Sequence, residues 1–355
     1  MVKNAYVHIP FCKSKCKYCS FISFPKLELK EQYLDALKQE IKYYYKGEIL
    51  DTIYFGGGTP SLLTPEEFKT LLNLFNFTDK TEITAELNPD GLTQDYLKSL
   101  KSIGINRISL GCQTFDDNIL QIIGRRHTSK QVEEAVKYAQ NAGFDNISLD
   151  FIYGLPNQTP EMFAADLKHA ISLDVQHISL YGLKIDKGCY FYTHMPENIP
   201  DEDMQAEMYL KAIEILKNFN HYEISNFGKP SMHNLNYWNN NNYYGFGAAA
   251  HGYTDDTRYS NAETLEEYIQ NPEKHSLKHT LTKQEQLEEE IFLGFRKTDG
   301  IDISHINRKF NINFDEKYSK ILKKYSNFIQ KTPKGYCFNT NGILISNAIL
   351  CEFLQ

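Results

Sequence analysis

The chain has 355 residues, 41% of them hydrophobic, which is enough for one large domain or a large domain with a smaller companion. Its net charge is −7, and only six of its 38 basic residues are arginine, which argues against a nucleic-acid stripe or a polybasic membrane patch. No apolar run approaches a membrane span and the first residues lack a secretory pattern, so the expected compartment is the cytoplasm.

From residue 1 to about 220, short β-branched runs alternate with longer amphipathic segments, the pattern of repeated βα units around a parallel sheet. Strands are expected at 4–9, 52–55, 82–87, 106–110, 146–151 and 177–181. Helices are expected between them at 30–45, 94–102, 130–141, 160–173 and 201–218. A further helix opens at Thr64-Pro65-Glu66-Glu67, where Thr64 and Glu67 make a capping box and Pro65 suits the first turn. The fold class is therefore α/β, a partial (β/α)6 barrel amounting to three quarters of the (β/α)8 fold.

Three cysteines, Cys12, Cys16 and Cys19, lie within eight residues directly after the first strand. Thiolates bind soft metals, and three at this spacing can hold three irons of a 4Fe–4S cube while the fourth iron stays open. Ser20 and Phe21 follow, so no neighbouring cysteine closes the site. A structural zinc site with His8 as fourth ligand is the alternative. The remaining cysteines, Cys112, Cys189, Cys337 and Cys351, are scattered singly, which suits a reducing compartment rather than a disulfide framework.

In barrels of this kind the working residues leave the C-terminal ends of the strands. Gly56-Gly57-Gly58-Thr59-Pro60 follows the second strand, Asn88-Pro89 the third, Gln113 the fourth and Tyr153-Gly154-Leu155-Pro156 the fifth. All share a rim with the cysteine loop. The triple glycine fits neither dinucleotide nor Walker spacing, and is expected to let backbone approach a ligand.

On these motifs, residues 1–220 resemble a radical S-adenosylmethionine (SAM) core, and the whole chain resembles the oxygen-independent coproporphyrinogen oxidase family. The resemblance implies a 4Fe–4S cluster whose open iron is chelated by the amino and carboxylate groups of SAM. By position, Gly57, Gly58 and Thr59 would contact the methionine part of SAM, Tyr6 would lie beside the cluster, Tyr18 matches the aromatic residue before the last cysteine, and Glu86, Gln113, Arg125 and Asp150 would be further SAM contacts.

Within that family the chain resembles the HemW-type heme-chaperone branch more than the decarboxylating oxidase. Phe21 stands where the oxidase carries a fourth cysteine, and the oxidase's extension ahead of the cluster loop has no counterpart before Cys12. His233-Asn234-Leu235-Asn236-Tyr237-Trp238 matches the branch's H-N-x-x-Y-W motif and contains the only tryptophan. His233 is the candidate heme ligand, with Tyr237 and Trp238 available to cover a porphyrin face, and His251 is a second candidate. The other bland reading is a loop histidine with two packed aromatics.

Residues 221–280 read as a connecting region. Residues 281–355 read as a small helical, winged-helix-like end piece: a capping box at Thr282 and Glu285, helical segments at 303–310 and 314–325, and a hairpin from 335–338 and 342–345. The expected function is heme binding and transfer to an acceptor protein, the alternative a catalytic porphyrinogen oxidase. The implied partners are heme, the acceptor, peripheral membrane contact through that acceptor, and an electron donor such as flavodoxin or ferredoxin. No nucleic acid is implied.

Overall fold

The structure is a computed structural model that describes residues 1–354. Six strands, β1 (Asn4–Ile9), β2 (Thr52–Gly57), β3 (Glu82–Leu87), β4 (Arg107–Gln113), β5 (Ile147–Tyr153) and β6 (His177–Gly182), run parallel and pair in chain order. Between them run α1 (Lys30–Tyr44), α2 (Pro65–Leu72), α3 (Gln94–Ser102), α4 (Asp117–Ile122), α5 (Ser129–Asn141) and α6 (Pro160–Ser172). After β6 come the short α7 (Tyr190–Thr193) and the longer α8 (Glu202–Ile215). The expected partial barrel is present. Four strands reach farther at their C-terminal ends than their β-branched runs, because parallel pairing carries glycine and polar residues into the sheet as far as Gly57, Gln113, Tyr153 and Gly182.

The strand period of two sorts the side chains. Val7, Ile53, Phe55, Ile108, Leu149 and Ile178 face outward into one core with Leu37, Phe68, Leu100 and Val136 of the helices, all at most 2% exposed. The opposite face encloses polar side chains: Tyr54 donates to Glu86, Ser109 to Asp150, and Arg107 lies 3.4 Å from His177. The capping box at Thr64 and Glu67 is formed, and Thr93, Thr159 and Asp201 cap α3, α6 and α8.

The sheet has nine strands rather than six. β7 (His221–Glu223) and β8 (Asn226–Gly228) extend it beyond β6, and β9 (Tyr244–Phe246) pairs parallel with β1. Each is three residues long, too short for alternation to register in sequence. The motif of residues 233–238, in the expected connecting region, forms α9 (Met232–Trp238), capped by Ser231. Beyond it, β10 (His251–Thr254), β11 (Thr257–Ser260) and β12 (Leu277–Thr280) form a separate antiparallel sheet, with α10 (Leu265–Gln270) between the last two.

The C-terminal part runs α11 (Lys283–Gly294), β13 (Ile301–Asp302), α12 (Ile303–Phe310), α13 (Phe314–Lys317), α14 (Ser319–Lys324), β14 (Ile329–Lys331), β15 (Gly335–Phe338), α15 (Thr340–Leu344) and α16 (Ser346–Cys351). Its own core gathers Leu287, Ile291, Phe295, Phe314, Phe338 and Phe353. The hairpin joins β14 to β15, not 335–338 to 342–345. The apolar run at 342–345 winds helically because Asn339 caps it, accepting from Gly342 N at 2.9 Å, and Gly342 abuts the Phe328 backbone.

Glu40 of α1 ties the edge of the barrel together. Fully buried, it accepts from Gly247 N at 2.8 Å, Asn261 Nδ2 at 2.6 Å and the Tyr268 hydroxyl, and burial pushes its carboxyl up to about 7. Below that value and above the ordinary carboxylate range, folding takes up a proton at Glu40, so its contribution to stability rises as pH falls from 8 towards 5. Urea unfolding of wild type and Glu40→Gln at pH 8 and pH 6 should give slopes against pH that differ by up to about 1.4 kcal/mol per unit. Parallel slopes would place the proton elsewhere.

Candidate functional site

The cysteine loop leaves β1 through Pro10 and is pinned along its length. Cys12 N donates to Phe24 O at 3.1 Å, Phe24 N to Pro10 O at 2.7 Å, Lys17 N to Ile123 O at 3.0 Å and Phe191 N to Lys17 O at 2.9 Å. Phe11, fully buried edge-on against Tyr33, anchors its root. Cys12, Cys16 and Cys19 are all unpaired and partly exposed, and all three line one cavity of about 500 Å³ at the C-terminal ends of the strands. Thr59 Oγ1 lies 3.3 Å from Cys12 Sγ, and Arg125 Nη1 donates to Cys16 Sγ at 3.6 Å. Burial pushes the Cys19 thiol up to about 11. Three free thiols lining one cavity suit three corners of an iron–sulfur cube.

His8 is not available as a fourth ligand. Its Nδ1 lies 2.9 Å from the Tyr6 hydroxyl and its Nε2 3.1 Å from Ile22 O. With both ring nitrogens of His8 engaged, the zinc alternative lacks the fourth ligand it called for.

Gly57 and Gly58 of the triple glycine lie on the cavity wall and also have a packing reason to be small. Gly57 has φ +110°, and a Cβ there would fall 2.4 Å from the His8 ring. A Cβ on Gly58 would fall 2.7 Å from Phe11 O and 2.9 Å from Ile9 O. The missing side chains admit β1 and the root of the cysteine loop against the end of β2. A bulky residue at 57 or 58 therefore disturbs the loop before it meets any ligand.

On the far wall of the cavity stand Glu86, Asn88, Gln113, Arg125 and Asp150. Glu86 accepts from the Tyr54 hydroxyl at 2.8 Å and Gly57 N at 3.0 Å, and burial pushes its carboxyl up to about 7. Burial also raises Asp150, against hydrogen bonds from Ser109 at 2.8 and 2.9 Å. Arg125 Nη2 donates to Asn88 Oδ1 at 3.0 Å and Gly111 O at 2.7 Å, while its Nε is buried without a partner. Gln113 sits at a register shift in β4 with φ +70°. An orphaned guanidinium nitrogen and two part-buried carboxylates beside three thiols can hold a zwitterion against a metal cluster, so the residues fit SAM as well as the cube.

Of the expected site residues, the cavity gathers the three cysteines, Tyr18, Gly57, Gly58, Thr59, Glu86, Gln113, Arg125 and Asp150. Tyr6 lies deeper, its ring 6.1 Å from that of Tyr54. Gly154 meets Gln205 and Leu155 is core, so the turn after β5 is structural. Sequence reasoning missed Tyr54, Arg107, Ser109 and Tyr181; the available signal was polar and aromatic residues on the inward phase of otherwise apolar strands.

His233 lies at the other end of the barrel. Glu82, which begins β3, accepts from Met232 N and His233 N at 3.2 and 3.1 Å. Thr52, which begins β2, lies 2.7 Å from His233 Nδ1, and Asn4, which begins β1, donates to Asn236 Oδ1 at 2.6 Å. His233 Nε2 is 2.8 Å from the Tyr237 hydroxyl, and the ring stacks on Tyr54 at 4.9 Å. The side chain is 1% exposed, and burial lowers its pKa to about 3. α9 thus plugs the N-terminal end of the barrel. His251 is exposed at the start of β10.

The family model for the radical SAM superfamily matches residues 6–170, and that for the HemN C-terminal domain matches residues 281–342. The chain is 38% identical to heme chaperone HemW of Bacillus subtilis, covering 99% of each. The chain belongs to the HemW family. A second member, heme chaperone HemW of Lactococcus lactis, is 38% identical over 95% of each chain. The fold of this HemW-family chain matches coproporphyrinogen III oxidase (HemN) from Escherichia coli, with a TM-score of 0.87 and 23% identity, covering all of this chain and 90% of that one. At that identity the likeness concerns the fold.

Proposed function

We propose that this chain is a heme chaperone: it binds heme, passes it to an acceptor protein, and carries a SAM-coordinated 4Fe–4S cluster on Cys12, Cys16 and Cys19. The observation that carries the reading is similarity to named heme chaperones along 99% of both chains. The cluster, when bound, supplies an electron to the sulfonium of SAM, drawn from a donor of the flavodoxin or ferredoxin class. Gly57, Gly58 and Thr59 shape the wall beside the cysteine loop, Tyr18 packs against it, and Arg125, Glu86, Gln113 and Asp150 hold the charged and hydroxyl groups of SAM. Residues 1–220 would serve this core, 221–280 the connection bearing α9, and 281–355 the end piece. The protein would work in the cytoplasm and meet a membrane only through its acceptor; among the described residues no helix is long and apolar enough to cross one.

The fold of an oxidase makes porphyrinogen decarboxylation the second reading. Against it stands Phe21, 70% exposed at the cavity rim, where the oxidase branch is expected to carry a further thiol. Anaerobic protein with a full cluster should bind hemin, and should convert no coproporphyrinogen III when supplied with SAM and reductant. Formation of protoporphyrinogen IX at repeated turnover would replace the chaperone reading with the oxidase.

A further inference from the structure

Heme asks three things of a protein: a nitrogen or sulfur for its iron, aromatic surface for the macrocycle, and cations for the propionates. His233 meets the first only if α9 leaves its seat, because Thr52 and Tyr237 engage both of its ring nitrogens. His8 and His177 are likewise engaged at both nitrogens. His169, His279 and His305 spend Nε2 on glutamates. His127 is buried, and His221 and His275 have ring nitrogens closed off from water. Among the described residues, His194 and His251 are the exposed histidines whose Nε2 has no acidic partner.

His194 is the prepared one. Its Nδ1 lies 2.9 Å from Thr193 Oγ1, and its ring stacks on Tyr190 at 4.1 Å and 4°. With the hydroxyl oxygen accepting the Nδ1 proton, the lone pair resides on Nε2, which has no partner among the described residues. Metal-bound histidines are typically tethered in this way through the other ring nitrogen.

The surroundings supply the other two requirements. Tyr190, Tyr192 and Met195 are 51%, 53% and 63% exposed, an unusual density of apolar surface for six residues of chain. Lys184, paired with Asp186, and the exposed Lys187 stand just upstream. This segment follows β6, and its Leu183 and Lys184 wall the same cavity as the three cysteines. The hydrogen bond from Phe191 N to Lys17 O fastens α7 to the cysteine loop.

We infer that His194 Nε2 is an axial ligand of bound heme, with the macrocycle meeting the exposed Tyr192 and Met195 on the segment whose Leu183 and Lys184 line the cysteine cavity. The inference rests on the heme-chaperone reading and adds the site to it. Heme and cluster then share one rim, and α9 remains the plug of the opposite end.

Hemin titration of the full chain, followed by absorption, tests the assignment in wild type, His194→Ala, His233→Ala and His251→Ala. Because His194 is exposed, its replacement should leave circular dichroism and cluster content unchanged. Retention should weaken roughly tenfold or more, since loss of even a ligand's supporting partner produces that much. The Soret band should shift, and added imidazole should restore the wild-type spectrum. His251→Ala and the folded fraction of His233→Ala should keep that spectrum. If His194→Ala titrates like wild type while one of the other variants loses the band, the assignment is overturned and the chaperone reading stands. If wild type itself binds no hemin, both fall together.

Discussion

Reconstituted anaerobically with iron and sulfide, the variants Cys12→Ala, Cys16→Ala and Cys19→Ala are each expected to lose the cluster outright, while wild type takes up about four irons and four sulfides per chain. The three thiols share one cavity, and no fourth cysteine stands within it to replace a missing corner. The loss should be local. The loop is held by main-chain hydrogen bonds to Phe24, Ile123 and Phe191, which survive truncation of a side chain, so the variants should remain folded by circular dichroism. Cys189→Ala is the control, since that thiol lies in a separate buried apolar cluster under the loop and should leave iron and labile sulfide unchanged. Wild-type protein that carried stoichiometric zinc and no labile sulfide would end the cluster reading.

Arg107→Ala should produce the largest loss of stability, about 3–5 kcal/mol, out of the roughly 5–15 kcal/mol that domains possess. Arg107 is 1% exposed at the base of the barrel interior. Burial opposes its charge, and nearby Glu82, Tyr54, Tyr222 and Asp150 more than offset this, leaving its pKa raised. No carboxylate pairs with it directly; its nearest hydrogen-bonding neighbour is His177 at 3.4 Å, and its Nε is buried unpaired. Truncation would therefore strip the counter-charge from Asp150, already raised by burial, and leave a void the strands cannot close. The shift in urea midpoint measures it. A loss below about 1 kcal/mol would mean that the interior is wet enough to solvate Asp150 without the arginine.

The helical and strand periods made the six βα units readable, since each strand places apolar residues such as Val7, Phe55 and Leu149 against helices whose caps, Thr64 and Thr93 among them, are local signals. The cysteine spacing was equally legible, because three ligands within one loop need no fold to bring them together. The three-residue strands β7, β8 and β9 were not legible. They exist because the edges of β6 and β1 offer unpaired main-chain groups, which is a property of the assembled sheet.

By itself, then, the sequence determined the barrel core, the ligand loop and the rim on which the motifs fall, all set by short-range period and spacing. The tertiary structure decided what each motif does. Gly57 and Gly58 must be small because the atoms a Cβ would meet belong to His8 and Ile9 of β1 and to Phe11 of the cysteine loop, some fifty residues away. His233 is a plug and not an open ligand, because Asn4, Thr52 and Glu82 from three different strands converge on α9. His194, bland in sequence, is tethered by its neighbour Thr193, and it comes near the cysteine loop only because Phe191 N donates to Lys17 O. Contacts between residues distant in the chain depend on closing the sheet, and no local pattern encodes them.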